Sequence, residues 1–386
     1  MKKFKIAFIA TSFIQKPDGI SVYIENLLKE FIELSIKENM QIDIFIKKEN
    51  LDLLKERTNL VNNKYINLKS IGTKNFFKTI YIMSKVLWKG NYDIVILPNP
   101  MPLILPDQKT IRVIHDLSFK SFSEELSIIK KIYSNFLILL TLYASTTIGY
   151  ISETTKKNIL IYFKVPKNKK FLYLPNGIPL KVKIQERPSL EKVENKFLSN
   201  NLKIIVVGRI NRHKGFDRVL EFVKFADKAM QNDKFFKSIE IYMVGKKTEE
   251  TDIILGNYQP ENVKLNFTGF LTDKELNKLY KESYFCFFLS RNEGYGLPLV
   301  ESLWLRTIPV LSDISIFREI MGDDYIFFSE KTGYGENIYK FVKKVFKDTE
   351  YRKNILSKID NVVDKEKNGY KIAAQNLLKY IKDNYT

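Results

Sequence analysis

The sequence predicts an α/β protein built of two doubly wound domains that face a central cleft, and three observations predict it. Apolar runs of strand length alternate with helix-period segments, the pattern of parallel sheets covered by helices. The alternation occurs in two series, separated at residues 181–201, where Pro188, clustered charge and few hydrophobic residues in register read as a linker. The length of 386 residues, 45% of them hydrophobic, suffices for about two or three domains with full cores. Two such sheets leave a crevice at the carboxyl ends of their strands, where ligands bind in open α/β folds.

In the first domain, residues 1–180, Lys5 to Ala10 reads as a strand. The basic Met1-Lys2-Lys3 start ahead of it has the outline of a secretory signal, but the apolar part is too short and leads into Thr11-Ser12-Phe13. Further strands are expected at Gln41 to Ile46, Asp93 to Leu97, Ile111 to His115, Thr146 to Ile151 and Lys170 to Leu174. Helices are expected at Ser21 to Leu34, Phe76 to Trp88, Glu124 to Ala144 and Glu153 to Tyr162. The second domain, residues 202–368, repeats the alternation with strands at Lys203 to Gly208, Glu240 to Gly245, Val263 to Phe267, Tyr284 to Leu289, Thr307 to Leu311 and Tyr325 to Phe328. Its helices fall near Phe216 to Met230, Asp273 to Glu282, Pro298 to Trp304 and Ile338 to Phe346. A last helical segment runs from Gly369 to Tyr385.

Composition narrows the function classes. The longest apolar run, Phe136 to Ala144, is half of what a bilayer crossing needs, so no membrane span is expected. One cysteine, Cys286, inside a strand excludes an internal disulfide and fits a reducing cytoplasm. The net charge of +19 invites a nucleic-acid reading, yet no zinc-ligand cysteines, helix-turn-helix signature or aromatic RNA-binding motif accompanies it. The lysines are scattered, which suits an anionic lipid surface or a phosphorylated partner better than nucleic acid. Lys74 to Lys89 and Lys130-Lys131 with Phe136 to Leu142 interleave basic and apolar residues at helical spacing. Such helices lie in membrane interfaces or serve as ordinary domain covers, and the sequence leaves both open.

The most informative segment is Glu293-Gly-Tyr-Gly-Leu-Pro-Leu-Val-Glu301. A buried strand, Tyr284 to Ser290, ends just before it, and Pro298 marks a helix start directly after the glycines. Glu293 is therefore placed in a strand-to-helix loop and Glu301 about one turn into the helix. The amides of Gly294, Tyr295, Gly296 and Leu297 converge with the positive helix end, a seat for an anion or for hydroxyls. No Gly-x-Gly-x-x-Gly, P-loop or Asp-x-Asp is present, and His115 and His213, the only histidines, are too far apart in sequence to suggest a metal site. His213 reads as a surface residue, and Gly245-Lys246-Lys247-Thr248 as a strand end.

The Glu-x7-Glu spacing resembles the signature of retaining glycosyltransferases of the two-domain GT-B fold, specifically glycosyltransferase family 4, the group 1 glycosyltransferases. Gly208-Arg209…Lys214-Gly215, Leu174-Pro-Asn176-Gly-Ile178, His115-Asp116-Leu117, Ile151-Ser152-Glu153 and Thr268 to Asp273 resemble other elements of that family, in its order. The resemblance implies two Rossmann-like domains, with the last helix, about 369–386, crossing back onto the first. It implies transfer of a hexose, mannose or rhamnose, from a nucleoside-diphosphate sugar to a saccharide or lipid-linked saccharide in bacterial surface polysaccharide assembly, with no metal or other cofactor. By resemblance Arg209 and Lys214 carry the diphosphate, Glu293 meets the sugar hydroxyls and Glu301 grips the ribose diol. Gly208 belongs to the same donor site. Gly19 lets the backbone meet the diphosphate or sugar. Gly269, Leu271 and Asp273 lie where the family contacts the nucleobase, although a plain turn with Thr272 or Asp273 as helix cap explains them too. His115 is expected at the donor sugar or acceptor, or else as a structural histidine, with Asp116, Ser152 and Asn176 on the acceptor side. The expected location is cytoplasmic, peripheral to the inner membrane face. A sugar-nucleotide epimerase or hydrolase of the same architecture is the alternative.

Overall fold

The computed structural model describes residues 4–14, 18–58, 63–72, 75–103, 105, 109–121, 127–330 and 333–385. The chain divides into two compact units, residues 1–177 with 368–386, and residues 178–367. Met1 to Lys3, Lys74, Glu124 and the side chain of Phe76, all named above, lie outside the described residues.

The first unit runs β1 (Lys5–Ile9), α1 (Gly19–Lys37), β2 (Gln41–Lys47), α2 (Leu51–Thr58), β3 (Ile66–Ile71), α3 (Phe76–Lys89), β4 (Ile94–Leu97), β5 (Thr110–Ile114), α4 (Ser118–Ser121), α5 (Ile128–Ala144), β6 (Thr147–Tyr150), α6 (Glu153–Tyr162) and β7 (Lys170–Tyr173). Its sheet is parallel throughout, in the order β3-β2-β1-β4-β5-β6-β7. β1 lies inside this sheet between β2 and β4, so its apolar residues on both faces are buried, as a parallel sheet requires. β3 escaped the sequence reading because it is an edge strand. Its Asn67, Lys69 and Ser70 leave only Ile66 and Ile71 buried.

The second unit contains α7 (Leu180–Lys183), α8 (Leu190–Lys196), β8 (Asn201–Val207), α9 (Phe216–Asn232), β9 (Ser238–Val244), α10 (Glu249–Leu255), β10 (Val263–Gly269), α11 (Asp273–Glu282), β11 (Phe285–Phe288), α12 (Leu297–Trp304), β12 (Ile308–Ser312), α13 (Ser315–Met321), β13 (Phe327–Phe328), α14 (Tyr334–Lys347) and α15 (Thr349–Glu366). The strands form a second parallel sheet in the order β10-β9-β8-β11-β12-β13. The chain then returns through α16 (Gly369–Tyr385), which packs on α1 and β7 of the first unit. A Cβ on Gly369 would stand 1.9 Å from the Asn176 carbonyl oxygen, so only glycine admits this return.

The expected linker at 181–201 is corrected by the structure. α7 and α8 belong to the second unit, Val193 is buried, and Arg187 and Glu194 are paired with residues distant in sequence. Arg352, itself buried, holds Glu194 at 2.5 and 2.9 Å and donates to the Val345 and Phe346 carbonyls. Arg187 and Arg306 share Asp360. Charged residues mark a linker only when nothing compensates them, and pairing across the tertiary fold is invisible to a sequence window.

Candidate functional site

Most of the expected donor-side residues come together at the carboxyl edge of the second sheet. β8 passes into Gly208 at φ +141°, and neighbouring β9 into Gly245 at φ +135°. A Cβ on Gly245 would lie 2.1 Å from the Gly208 carbonyl oxygen, so the two strand ends pass only because the position is glycine. The loop after β8 closes at Gly215, φ +77°, where a Cβ would fall 2.0 Å from the Leu289 carbonyl oxygen beyond β11. This contact carries Lys214 against the Glu293 loop. Lys214 Nζ lies 2.6 Å from Glu293 Oε1, and Ser290 Oγ donates to the same oxygen at 2.8 Å. The two residues expected to act separately are thus one charge pair. Arg209 is exposed and makes no ion pair or hydrogen bond with a described residue. Gly208, Arg209, Lys214 and Ser290 line one narrow crevice.

Residues that the sequence reading passed over stitch these loops together. Arg291 takes both oxygens of Asp217 at 2.8 and 2.7 Å and donates to the Arg212 carbonyl. Arg218 donates to the Leu289 carbonyl at 2.8 Å, and both arginines share Glu330. His213 is corrected from surface residue to brace: it is half-buried, its ring nitrogen lies 3.1 Å from the Asn292 carbonyl, and its own carbonyl accepts from Arg291. Only the order Asp217-Arg218 after a glycine and Arg291 after a strand hinted at this, a signal too weak to read without the fold.

α12 opens at Gly296, φ +94°, where a Cβ would press on the Phe317 ring at 3.2 Å. Gly296 and Leu297 stand at the helix start, where amides have no partner within the helix, as the anion seat requires. Gly294 precedes them in the same loop. Tyr295, expected to offer its amide, has a buried side chain whose hydroxyl is bonded to the Glu366 carboxyl. Burial pushes that Glu366 carboxyl above the usual range.

Glu301, one turn into α12, is 5% exposed. Lys181 Nζ lies 3.7 Å from its Oε1 and 3.0 Å from Asp273 Oδ1. Burial raises the Glu301 carboxyl pKa, and Lys181 pulls it back. Lys181 was missed because it stood in the supposed linker. Thr272 caps α11 in a reciprocal pair with Glu275, so the helix-cap reading of this turn holds, while Asp273 is taken up by Lys181. Gly269, φ +69°, ends β10 at a bulge, and its carbonyl accepts from the Gly245 amide. Leu271 follows, half-buried.

The remaining expected residues belong to the first unit. Gly19 is the first residue of α1, behind Asp18, whose carboxylate accepts from the Ser21 amide at 2.8 Å. His115 follows β5 with Nε2 donating to the Pro98 carbonyl at 2.6 Å and its ring edge-on to Tyr23, centroids 4.7 Å apart. Burial holds the imidazole below its ordinary pKa, against the Pro98 bond and the charges of Asp116 and Asp18, so it is neutral at pH 7. Asp116 is exposed and accepts from the amide and hydroxyl of Ser118. Ser152, expected on the acceptor side, is instead buried and caps α6 through the Thr155 amide. Thr155 in turn donates to the His115 carbonyl, so this cap positions the histidine. Asn176 is buried with its Oδ1 unpartnered among the described residues. Among the described residues no helix is long and apolar enough to cross a membrane, and no three His, Cys, Asp or Glu cluster as metal ligands.

Comparison with known proteins adds to this geometry. The sequence profile of the family described as Glycosyl transferases group 1 matches residues 189–361. The chain is 31% identical over 96 residues to the serotype-specific mannosyltransferase WbdA of Escherichia coli, a match covering 24% of this chain and 12% of that protein. It is 27% identical over 246 residues to the O-antigen chain mannosyltransferase RfbU of Salmonella typhimurium, covering 62% of each. The chain thus spans about an eighth of the first of these relatives and under two thirds of the second. Among solved structures, Anabaena Alr3699/HepE in complex with UDP and glucose superposes with a TM-score of 0.68 at 14% identity, covering 98% of this chain and 100% of that one. WaaG, a glycosyltransferase involved in lipopolysaccharide biosynthesis, superposes with a TM-score of 0.64 at 14% identity, covering 96% and 98%. The fold is therefore that of the GT-B enzymes, two parallel-sheet α/β units.

Proposed function

We propose that the chain, whose residues 189–361 match the profile of the family described as Glycosyl transferases group 1, transfers a hexose from a nucleoside-diphosphate sugar to a saccharide acceptor in bacterial surface polysaccharide assembly. The observation that carries this is the Lys214–Glu293 pair at the carboxyl edge of the second sheet, with Arg209 beside it and Glu301 one helical turn beyond. A departing diphosphate gains negative charge as the anomeric bond breaks, and fixed cations stabilise that charge more in the transition state than in the ground state. Lys214 and Arg209 supply them. A phosphate arriving at Lys214 shares the ammonium with Glu293, leaving carboxylate oxygen to accept from the sugar hydroxyls. Glu301 accepts from the ribose diol. The anomeric carbon loses the diphosphate oxygen and gains the acceptor oxygen on the same face, and the acceptor proton passes to the leaving phosphate oxygen, with no metal needed. Mannose is the favoured sugar, since WbdA and RfbU are described as mannosyltransferases.

A lipid-linked acceptor at the cytoplasmic membrane face agrees with the first unit's surface. Phe77 and Trp88 of α3 are 80% and 66% exposed, and Ile129 of α5 is 79% exposed, among Lys78, Lys85, Lys130 and Lys131. Phe77, Ile80, Pro102, Tyr133 and Phe136 line one apolar groove. Apolar side chains among lysines suit an anionic bilayer surface.

The test is a thermal-shift panel of UDP, GDP, CDP, ADP and dTDP followed by transfer assays with the matching sugar nucleotides and bacterial lipid-linked saccharides. One nucleotide should raise Tm, and its sugar should appear on the acceptor. Binding of none, or release of free or epimerised sugar without transfer, would reject the reading, the latter in favour of a hydrolase or epimerase.

A further inference from the structure

Glu301 sits on a helix that buries the apolar Leu299, Val300 and Leu303, and also Ser302, whose hydroxyl donates to the Leu299 carbonyl. A carboxylate in such surroundings loses its hydration and takes up a proton unless a cation compensates. The titratable groups that face it are Lys181 from α7, Asp273 and Tyr280 from α11, and Cys286 from β11. Asp273 repels a second negative charge. Tyr280 and Cys286 are themselves buried and pushed far up, so both are neutral. Among the described residues Lys181 is the one cation in this set, with Nζ 3.7 Å from Glu301 and 3.0 Å from Asp273. Lys181 is also only about a quarter exposed, in contact with α12 through α7, so its charge is not lost in bulk solvent.

We propose that Lys181 is a positioning residue for nucleotide recognition: it keeps Glu301 ionised, and so able to accept two ribose hydroxyls, across the neutral pH range. The proposal rests on the reading of Glu301 as the ribose ligand. A protonated carboxylic acid turns one acceptor into a donor, which a vicinal diol cannot satisfy as well. Lys181 therefore acts through Glu301 rather than on the nucleotide.

The test compares full-length wild type with Lys181→Met and Lys181→Arg, measuring calorimetric Kd for the nucleoside diphosphate that gives the largest thermal shift, from about pH 6 to about pH 8.5. Wild type and Lys181→Arg should hold a nearly constant Kd. Lys181→Met should approach wild type at the alkaline end and weaken by about tenfold per pH unit below the raised Glu301 pKa. Stability gives a ligand-free readout. A carboxyl whose folded pKa is raised binds more protons folded than unfolded, so Tm of Lys181→Met should rise as pH falls through that range, more steeply than in wild type. If Lys181→Met does not fold, Lys181→Gln carries the same expectation. A loss of equal size at every pH means that Lys181 touches the nucleotide directly, and no change at any pH means that it does nothing for Glu301; either overturns the proposal. Failure of the wild type to bind any nucleotide would reject the proposed function instead, while the Tm profiles would still decide the Lys181–Glu301 coupling.

Discussion

Lys214 and Glu293 share one oxygen contact, so removing either leaves the other with an uncompensated charge. Arg209→Ala deletes a cation with no such debt. Both Lys214→Ala and Arg209→Ala should lower kcat by about a hundredfold or more, as loss of a single transition-state donor does, in steady-state transfer assays. The Lys214→Ala/Glu293→Ala double variant should lose much less than the product of the single losses, because the pair acts as a unit; Arg209→Ala with Glu293→Ala should be nearer to multiplicative. Activity persisting in excess EDTA would accord with these cations carrying the diphosphate charge; its loss with recovery on adding a divalent ion would refute that. Glu301→Gln keeps size and loses a charged acceptor. Since such a hydrogen bond is worth about 1.5–3 kcal/mol, kcat/KM for the donor should drop about tenfold to a hundredfold with Tm nearly unchanged.

At the scale of elements, the candidate site exists because glycines let strand ends and loops approach. Gly215 joins a positive φ to a 2.0 Å clash, so Gly215→Ala should cost about 2–4 kcal/mol in urea unfolding and separate Lys214 from Glu293. The exposed faces of α3 and α5 follow a different logic. Met83 and Leu87 anchor α3 in the core, while Phe77 and Trp88 do not contribute to it. Phe77→Ser with Trp88→Ser should therefore leave Tm and nucleotide affinity unchanged and reduce co-sedimentation with anionic vesicles. Loss of folding would show instead that these side chains are part of the core.

At the scale of the molecule, the first unit is completed by the last helix. Leu377 of α16 is fully buried, on a helix packed against α1 and β7, so Leu377→Ala should destabilise that unit by about 2–5 kcal/mol. A urea titration followed through each unit would show the change in the first unit's transition, although the substitution lies beyond the second unit in sequence. A shift confined to residues 178–367 would contradict this assignment of α16.

Alternation of apolar runs with helical periods was sufficient to read the strands with both faces buried, such as β1, β5, β8, β11 and β12, since burial on both sides leaves a continuous apolar signal. The Glu293 loop and the start of α12 were legible for a local reason, since strand, glycine and proline follow one another in a short window, whereas the Lys214 loop was singled out by the family resemblance. What the sequence alone could not decide were residues whose meaning lies in a distant partner. β3 is defined by β2, and Arg352 and Glu194 by each other across 158 positions. Tyr295 is claimed by Glu366, and the Ser152 cap supports His115 through Thr155. Lys181 joined the candidate site only when tertiary packing set it beside Glu301, because electrostatic compensation depends on distance in space and burial, neither of which a charge pattern along the chain contains.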